Sequence, residues 1–222
     1  MASVQSTAQF VAAEQAEFAA MLRTLPPEAW STPSLCSKWS VRDVVIHTAA
    51  HIHDQQNDRA VISQYASRSE EALVAWLESP PAESVESDYR SRRRFAEIQR
   101  GELMVHQQDV RRALGIPRVI PQERVQEVLA FSLQPIGSLG VAFGRERAKG
   151  LRLVSTENDW TWGAGKDVSG SLEALLMTTA GRAAALEELG GPGVTVLTDR
   201  MRNPPKVLRD LLDYTWSVNP VS

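Results

Sequence analysis

The chain has few of the residues that form disulfides or bind transition metals: its 222 residues include one cysteine and four histidines. The single cysteine, Cys36, excludes a disulfide within the chain and a zinc site made of several thiolates. The histidines are His47, His51, His53 and His106. A transition metal held by this chain must therefore take its ligands from these imidazoles and from carboxylates.

An excess of positive charge and long apolar runs are also missing. The 24 lysines and arginines are outnumbered by 27 aspartates and glutamates, for a net charge of −3, so we expect no nucleic-acid partner. No apolar run approaches the roughly 20 residues that span a bilayer, and the first residues lack the basic-then-apolar pattern of a signal peptide. We therefore expect a cytoplasmic protein with no membrane partner.

The first part of the chain is predicted to be nearly all helical. Apolar residues recur at helical spacing before Pro26-Pro27, and Ser40 with Asp43 forms a capping-box pattern that opens a second helix. Three further helices are predicted, at residues 69–80, 85–114 and 121–136. Helices joined by short connections are typical of an up-and-down bundle.

The chain changes character after about residue 145. Residues 151–156 and 160–162 alternate as strands do, with a turn between them, and residues 171–180 are predicted to be helical until Gly181. A last helix is expected around residues 207–214. The predicted fold class is therefore α+β, with a helical bundle over residues 1–140 and a small α/β domain over residues 145–222.

Three polar residues suggest a metal site within the predicted bundle. Glu102 and His106 are four residues apart on one predicted helix, so their side chains share a face. His47 lies among apolar residues in the middle of another helix. Two imidazoles and a carboxylate would leave a fourth position open, as in catalytic zinc sites. Zinc suits these ligands, and so do iron, nickel and manganese.

Other interpretations of these residues stay open. A glutamate and a histidine at this spacing are also common as an ion pair on a solvated helix face. His51 is a rival ligand, because it follows His47 by four residues. Asp109 follows His106 by three residues, and it could orient that histidine or pair with Arg112 on the helix surface.

Segments of the chain resemble, in order, the mycothiol-dependent maleylpyruvate isomerase family. Residues 33–47 are similar to its first signature, which pairs a tryptophan, here Trp39, with a histidine eight positions later. Residues 102–115 resemble its second signature. Residues 159–163, with the later Gly181-Arg182 and Gly191-Pro192-Gly193, are similar to its small C-terminal α/β domain. Because the family belongs to the DinB-like four-helix bundles, the resemblance implies that fold for the first domain.

The resemblance implies a divalent metal, usually zinc, at His47, Glu102 and His106. Family members use mycothiol, a low-molecular-weight thiol, which would act as a metal-bound thiolate nucleophile at neutral pH. In the isomerase the thiolate adds to a double bond, lets it rotate and leaves, whereas in related thiol transferases the adduct is kept. The expected partners are therefore a small electrophile and a low-molecular-weight thiol.

The resemblance also suggests residues around the metal. His51 and Gln107 are predicted to contact the thiol cofactor, although Gln107 departs from the residues common in the family. Arg182 and Asp109 are the predicted catalytic residues, with Arg182 holding a carboxylate of the substrate or the thiol. Cys36 is predicted to be a small buried residue rather than a catalytic thiol.

The predicted activity is that of an isomerase or a thiol S-transferase. One alternative is a non-catalytic stress or regulatory protein that binds a metal or a small ligand. The other is a metal-dependent hydrolase that uses no thiol, in which Glu102 or Asp109 assists as a base. A monomer or a homodimer is expected.

Overall fold

The protein is represented by a computed structural model that describes residues 7–36, 39–53, 58–80, 89–135, 137 and 143–203, without the side chains of residues 58–60 and 89–94. It divides into two compact units, Met1–Pro117 and Arg118–Ser222. Helices dominate, and a three-stranded sheet lies in the second unit, which confirms the predicted α+β class. The last predicted helix, around residues 207–214, lies outside the described residues.

Four helices form the core of the first unit. Its helices are α1 (Thr7–Leu22), α2 (Val41–His53), α3 (Asp58–Tyr65), α4 (Glu70–Glu78) and α5 (Tyr89–Ala113), with a short 3-10 helix at Pro27–Ser31. Helices α1 and α2 each pack on both α4 and α5. The four therefore close into a ring around a common core. Helix α3 packs on α2 and was not among the predicted helices.

The predicted capping box fixes the start of helix α2. The Ser40 amide donates to Asp43 Oδ2 at 2.8 Å, and the Asp43 amide donates to Ser40 Oγ at 3.2 Å. Two amides that the first turn leaves without helical partners are thus satisfied, a device worth about 1 kcal/mol. The cap therefore fixes the first turn of the helix that carries His47.

Helix α5 ends where the sequence predicts. Gly115 has a φ of 66°, and the Ile116 amide donates to the Arg111 carbonyl at 2.8 Å. A glycine adopts this left-handed conformation without a Cβ clash, so it closes the last turn. The predicted beginning of the helix, at residues 85–88, lies outside the described residues.

The second unit combines short helices with the sheet. Its elements among the described residues are α6 (Gln122–Ser132), α7 (Gly144–Ala148), β1 (Leu151–Ser155), β2 (Thr161–Gly163), β3 (Lys166–Gly170), α8 (Leu172–Thr179), a 3-10 helix at Ala183–Glu188 and α9 (Val194–Arg202). The strand order is β2-β1-β3, with β1 antiparallel to β2 and parallel to β3. Strand β3 was not predicted, because its sequence Lys-Asp-Val-Ser-Gly contains one apolar residue.

Helix α6 packs on helix α8 within the second unit. The contacts therefore group α6 with the C-terminal elements, so the second unit begins earlier in the chain than the predicted boundary at residues 140–145. The apolar stripe of a helix shows that one face will be covered, but it does not identify the covering element. None of the described helices combines the length and the apolar character needed to cross a membrane.

Candidate metal site

Three polar side chains meet inside the first unit. His47 lies on helix α2, and Glu102 and His106 lie one turn apart on helix α5, which packs against α2. Both α5 side chains share one face, because four residues bring the helix nearly back to its starting direction. His47 is 5% exposed and His106 is 2% exposed, so the cluster is largely withdrawn from water.

A single carboxylate oxygen lies next to both imidazoles. Glu102 Oε2 is 3.4 Å from His47 Nε2 and 3.0 Å from His106 Nε2. The three potential ligand atoms all lie within 4.8 Å of one another. A tetrahedral zinc ion with nitrogen and oxygen ligands at about 2.1 Å holds those atoms about 3.4 Å apart. The donor set and its spacing therefore fit a divalent metal.

Opposing effects set the pKa values of this cluster. Burial raises the pKa of Glu102, but hydrogen bonds to His106 and His47 outweigh it, so the pKa lies well below its usual 4.5. Burial lowers the pKa of His106, but the Cys36 sulfur and the carboxylates of Asp109 and Glu102 raise it well above its usual 6.5. Both pKa shifts therefore favour the charged forms, an ionised Glu102 carboxylate and a protonated His106 imidazole.

Asp109 contacts the far side of the His106 ring. His106 Nδ1 donates to Asp109 Oδ2 at 2.9 Å, and the Asp109 side chain is fully buried. Of the two alternatives for Asp109, the structure thus shows the contact with His106. A carboxylate that accepts from Nδ1–H fixes the ring orientation and leaves Nε2 as the nitrogen that faces a metal.

The loop before helix α2 contributes two residues beside the cluster. Cys36 donates from Sγ to Asp109 Oδ2 at 3.0 Å. The Trp39 ring lies 4.7 Å from the His47 ring and 6.2 Å from the His106 ring, between centroids. The sequence interpretation of Cys36 accounts for its burial but missed its contact with Asp109. The resemblance of residues 33–47 to the family signature points to this loop, but local sequence pattern does not reveal its contacts with helix α5.

The two residues predicted to contact the thiol occupy different positions. The His51 ring lies 6.0 Å from the His47 ring and stacks on it, so His51 lies at the edge of the cluster. Gln107 is fully buried, about 100° around helix α5 from His106. Its side-chain nitrogen and oxygen have no hydrogen-bond partner among the described residues. The roles predicted for both residues remain predictions.

Arg182 belongs to the second unit, at the end of helix α8. Arg182 Nη1 donates to the Ala180 carbonyl at 2.6 Å, and Arg147 Nη1 donates to the Thr179 carbonyl at 3.0 Å. Gly181, with a φ of 93°, turns the chain out of the helix. Both arginines therefore satisfy carbonyls that the helix end leaves open. The predicted role of Arg182 in holding a carboxylate remains a prediction.

Comparison with known families relates the first unit to one of them. Residues 11–57, which include His47 and the loop before it, match the family model described as the mycothiol maleylpyruvate isomerase N-terminal domain. In a comparison with curated protein sequences, none matched this chain.

Two solved structures share the fold over most of the chain. One is a mycothiol-dependent maleylpyruvate isomerase with a histidine-to-alanine substitution, at 14% identity and a TM-score of 0.57. The other is a mycothiol-dependent maleylpyruvate isomerase at 13% identity and a TM-score of 0.51. Each comparison covers 84% of this chain and 91% of the other. The predicted family resemblance is confirmed. At these identities, the likeness to the maleylpyruvate isomerase structures establishes the fold.

Proposed function

We propose that this chain is a metal-dependent enzyme that uses a low-molecular-weight thiol, mycothiol, to isomerise or conjugate a small electrophile. The observation that carries the proposal is the convergence of His47, Glu102 and His106 on one point inside the bundle. The family match over residues 11–57 supports the choice of thiol. We infer a cytoplasmic enzyme, because that compartment keeps small thiols reduced.

His47, Glu102 and His106 would hold the metal, with zinc as the first candidate for two imidazoles and a carboxylate. When bound, the metal would supply a Lewis acid that lowers the pKa of a thiol and so provides a nucleophile at neutral pH. The lowered pKa of Glu102 favours its ionised form, whereas the raised pKa of His106 favours a protonated ring that would release a proton on becoming a ligand. Metal binding is therefore expected to release protons.

The neighbouring side chains would orient the ligands and limit the access of water to the site. Asp109 accepts a hydrogen bond from His106 Nδ1 and holds that ring in place. Trp39, itself buried, covers one side of His47. A rigid, water-poor surrounding strengthens the electrostatic interactions available to a bound thiol and substrate. We assign His51 and Gln107 to the thiol and Arg182 to a carboxylate of the substrate or the thiol.

The test is a reaction panel with the full-length protein after its metal content has been measured. Maleylpyruvate, the substrate named for the matching structures, is offered with mycothiol, glutathione, cysteine or no thiol. Nuclear magnetic resonance separates cis from trans product, and mass spectrometry detects thiol adducts. Protein stripped with a chelator, and then reloaded with zinc, serves as the control for each reaction.

The proposal expects turnover that needs both metal and thiol, with mycothiol preferred. Cis–trans isomerisation would assign the isomerase activity, and a retained adduct would assign the transferase activity. Hydrolysis that is equally fast without thiol would contradict the proposal in favour of a hydrolase. Tight metal binding without turnover across a wider panel of electrophiles would contradict it in favour of a binding protein.

A further inference from the structure

We propose that Cys36 is a positioning residue for His106, acting through Asp109. The Cys36 thiol holds the Asp109 carboxylate, and that carboxylate holds the imidazole ring whose other nitrogen faces the metal. The inference rests on the proposed function in one respect, namely that His106 is a metal ligand. It assigns a polar role to the chain's single cysteine.

The three side chains form a continuous hydrogen-bonded chain. Cys36 Sγ donates to Asp109 Oδ2 at 3.0 Å, and His106 Nδ1 donates to the same oxygen at 2.9 Å. Cys36 Sγ lies 3.7 Å from His106 Nδ1. The exposed fractions of the three residues are 2%, 0% and 2%. Because water is largely excluded, each of these bonds has few substitutes if it is lost.

The backbone of the loop fixes the thiol in this position. The Leu35 amide donates to the Asp109 carbonyl at 3.2 Å, so the loop is tied to helix α5 one residue before Cys36. The Cys36 amide donates to Ser34 Oγ at 3.1 Å, and its carbonyl accepts from the Trp39 amide at 3.1 Å. The same loop therefore places the thiol behind one histidine and the Trp39 ring against the other.

A thiol is chemically suited to this position. It is a weak donor, so it can fix the direction of the Asp109 carboxylate without neutralising it. The carboxylate then remains a strong acceptor for Nδ1–H of His106. Partners that orient metal-binding histidines in this way typically change metal affinity by about 10- to 100-fold when they are removed. Cys36 acts one bond further from the metal, so we expect the lower end of that range.

Two other roles for Cys36 give different results. If Cys36 only fills space in the core, Cys36→Ala should lower the stability of the fold and have no specific effect on His106. A thiolate ligand would bind a metal directly, since Cys36, His106 and Asp109 also place their potential ligand atoms within 4.8 Å of one another. The positioning role predicts neither outcome.

The experiment compares Cys36→Ala, which removes the donor, with Cys36→Ser, which keeps a hydroxyl donor. Val45→Ala is the control, because Val45 is fully buried on helix α2 and lies about 200° around that helix from His47. Zinc affinity is measured by competition with a chromophoric chelator. In metal-free protein, proton nuclear magnetic resonance follows the exchange of His106 Nδ1–H with solvent. Cobalt-substituted protein reports a thiolate ligand through its charge-transfer absorption.

We expect Cys36→Ala to weaken zinc binding by about tenfold and to speed exchange of the Nδ1 proton by roughly 3- to 10-fold. Cys36→Ser should keep zinc affinity and the exchange rate close to their wild-type values. Val45→Ala should lower thermal stability and change neither the zinc affinity nor the exchange rate. Wild-type affinity and exchange in Cys36→Ala would overturn the proposal, and so would a thiolate-to-cobalt band that disappears in that variant. These measurements need no turnover, and the exchange measurement needs no metal. A failure of the thiol chemistry therefore leaves their outcome unaffected.

Discussion

The two units of the protein bury charged groups in contrasting ways. In the first unit, side chains of both signs converge on one another, with Glu102 Oε2 beside the Nε2 atoms of His47 and His106. In the second unit, Arg147 and Arg182 carry the same sign and donate to backbone carbonyls at the end of helix α8. The first arrangement suits an added cation, whereas the second completes a helix end.

The energetic consequences differ accordingly. Burial and the nearby charge of Arg182, opposed in part by Glu146, lower the pKa of Arg147 to about 9, which still leaves it a cation at pH 7. Its hydrogen bond to Thr179 and the negative end of the helix dipole compensate part of the cost of burial. In the first unit, the charges of Glu102 and His106 compensate one another, and both side chains carry atoms that could bind a metal. Convergence of potential ligand atoms, rather than burial of charge alone, is therefore the basis on which we propose a metal site in the first unit.

The largest expected effect is on metal binding by Glu102→Gln, a variant of similar shape without the negative charge. We expect zinc affinity to fall by about a thousandfold, since loss of the anionic ligand removes about 4 kcal/mol and each 1.4 kcal/mol is tenfold. Isothermal titration calorimetry provides the measurement. Glu97→Gln, also on helix α5, should bind zinc as the wild type does; equal affinities for both variants would refute this role of Glu102.

The next effect is a pH dependence confined to the first unit. Because the pKa of His106 is raised in the folded protein, zinc must displace its proton, and affinity should rise up to about tenfold per pH unit below that pKa. Titrations in buffers of different ionisation enthalpy count the protons released. An affinity that stays constant from pH 6 upward would contradict this prediction, because it would show that His106 is already neutral in the metal-free protein.

The same shifts predict the stability of the metal-free protein. The favourable contribution of protonated His106 is complete below 6.5 and is lost as pH rises through its higher folded pKa. The contribution of ionised Glu102 is complete above 4.5 and is lost as pH falls through its lower folded pKa. The free energy of unfolding measured in urea should therefore include both contributions between about pH 4.5 and 6.5. Saturating zinc should remove the fall in this free energy on the alkaline side.

A smaller effect is expected in the second unit from Arg147→Met. The Thr179 carbonyl loses its buried donor, which costs about 1–3 kcal/mol, and removal of a buried cation offsets part of this. Urea unfolding should detect the lower stability, and zinc affinity should match the wild type. Arg145→Met, an exposed position on the same helix, is the control. A changed zinc affinity would contradict this prediction, because it would show that Arg147 is energetically coupled to the candidate metal site.

Local sequence rules predicted the elements that carry the site. The capping box of Ser40 and Asp43, the stop at Gly115 and the four-residue spacing of Glu102 and His106 all depend on residues near one another in the chain. Each is present in the structure. The prediction of His47, Glu102 and His106 as ligands needed the family resemblance as well, because spacing alone could not choose between His47 and His51.

Contacts between distant segments were the part that the sequence did not reveal. The bond from Cys36 to Asp109 joins residues 73 positions apart, and no periodicity reports such a pair. Strand β3 pairs in parallel with β1 although its sequence is mostly polar. Packing partners also decided that helix α6 groups with the second unit. These features depend on which surfaces meet, and a single sequence specifies them only through the complete fold.

The most direct test of the account compares His47→Ala with His53→Ala in metal content. Both histidines lie on helix α2, but the His53 ring bonds to the Trp76 carbonyl and to Ser79 instead of the cluster. Mass spectrometric metal analysis after dialysis against zinc should find about one equivalent in the wild type and in His53→Ala, and far less in folded His47→Ala. Full zinc content in His47→Ala would contradict the site.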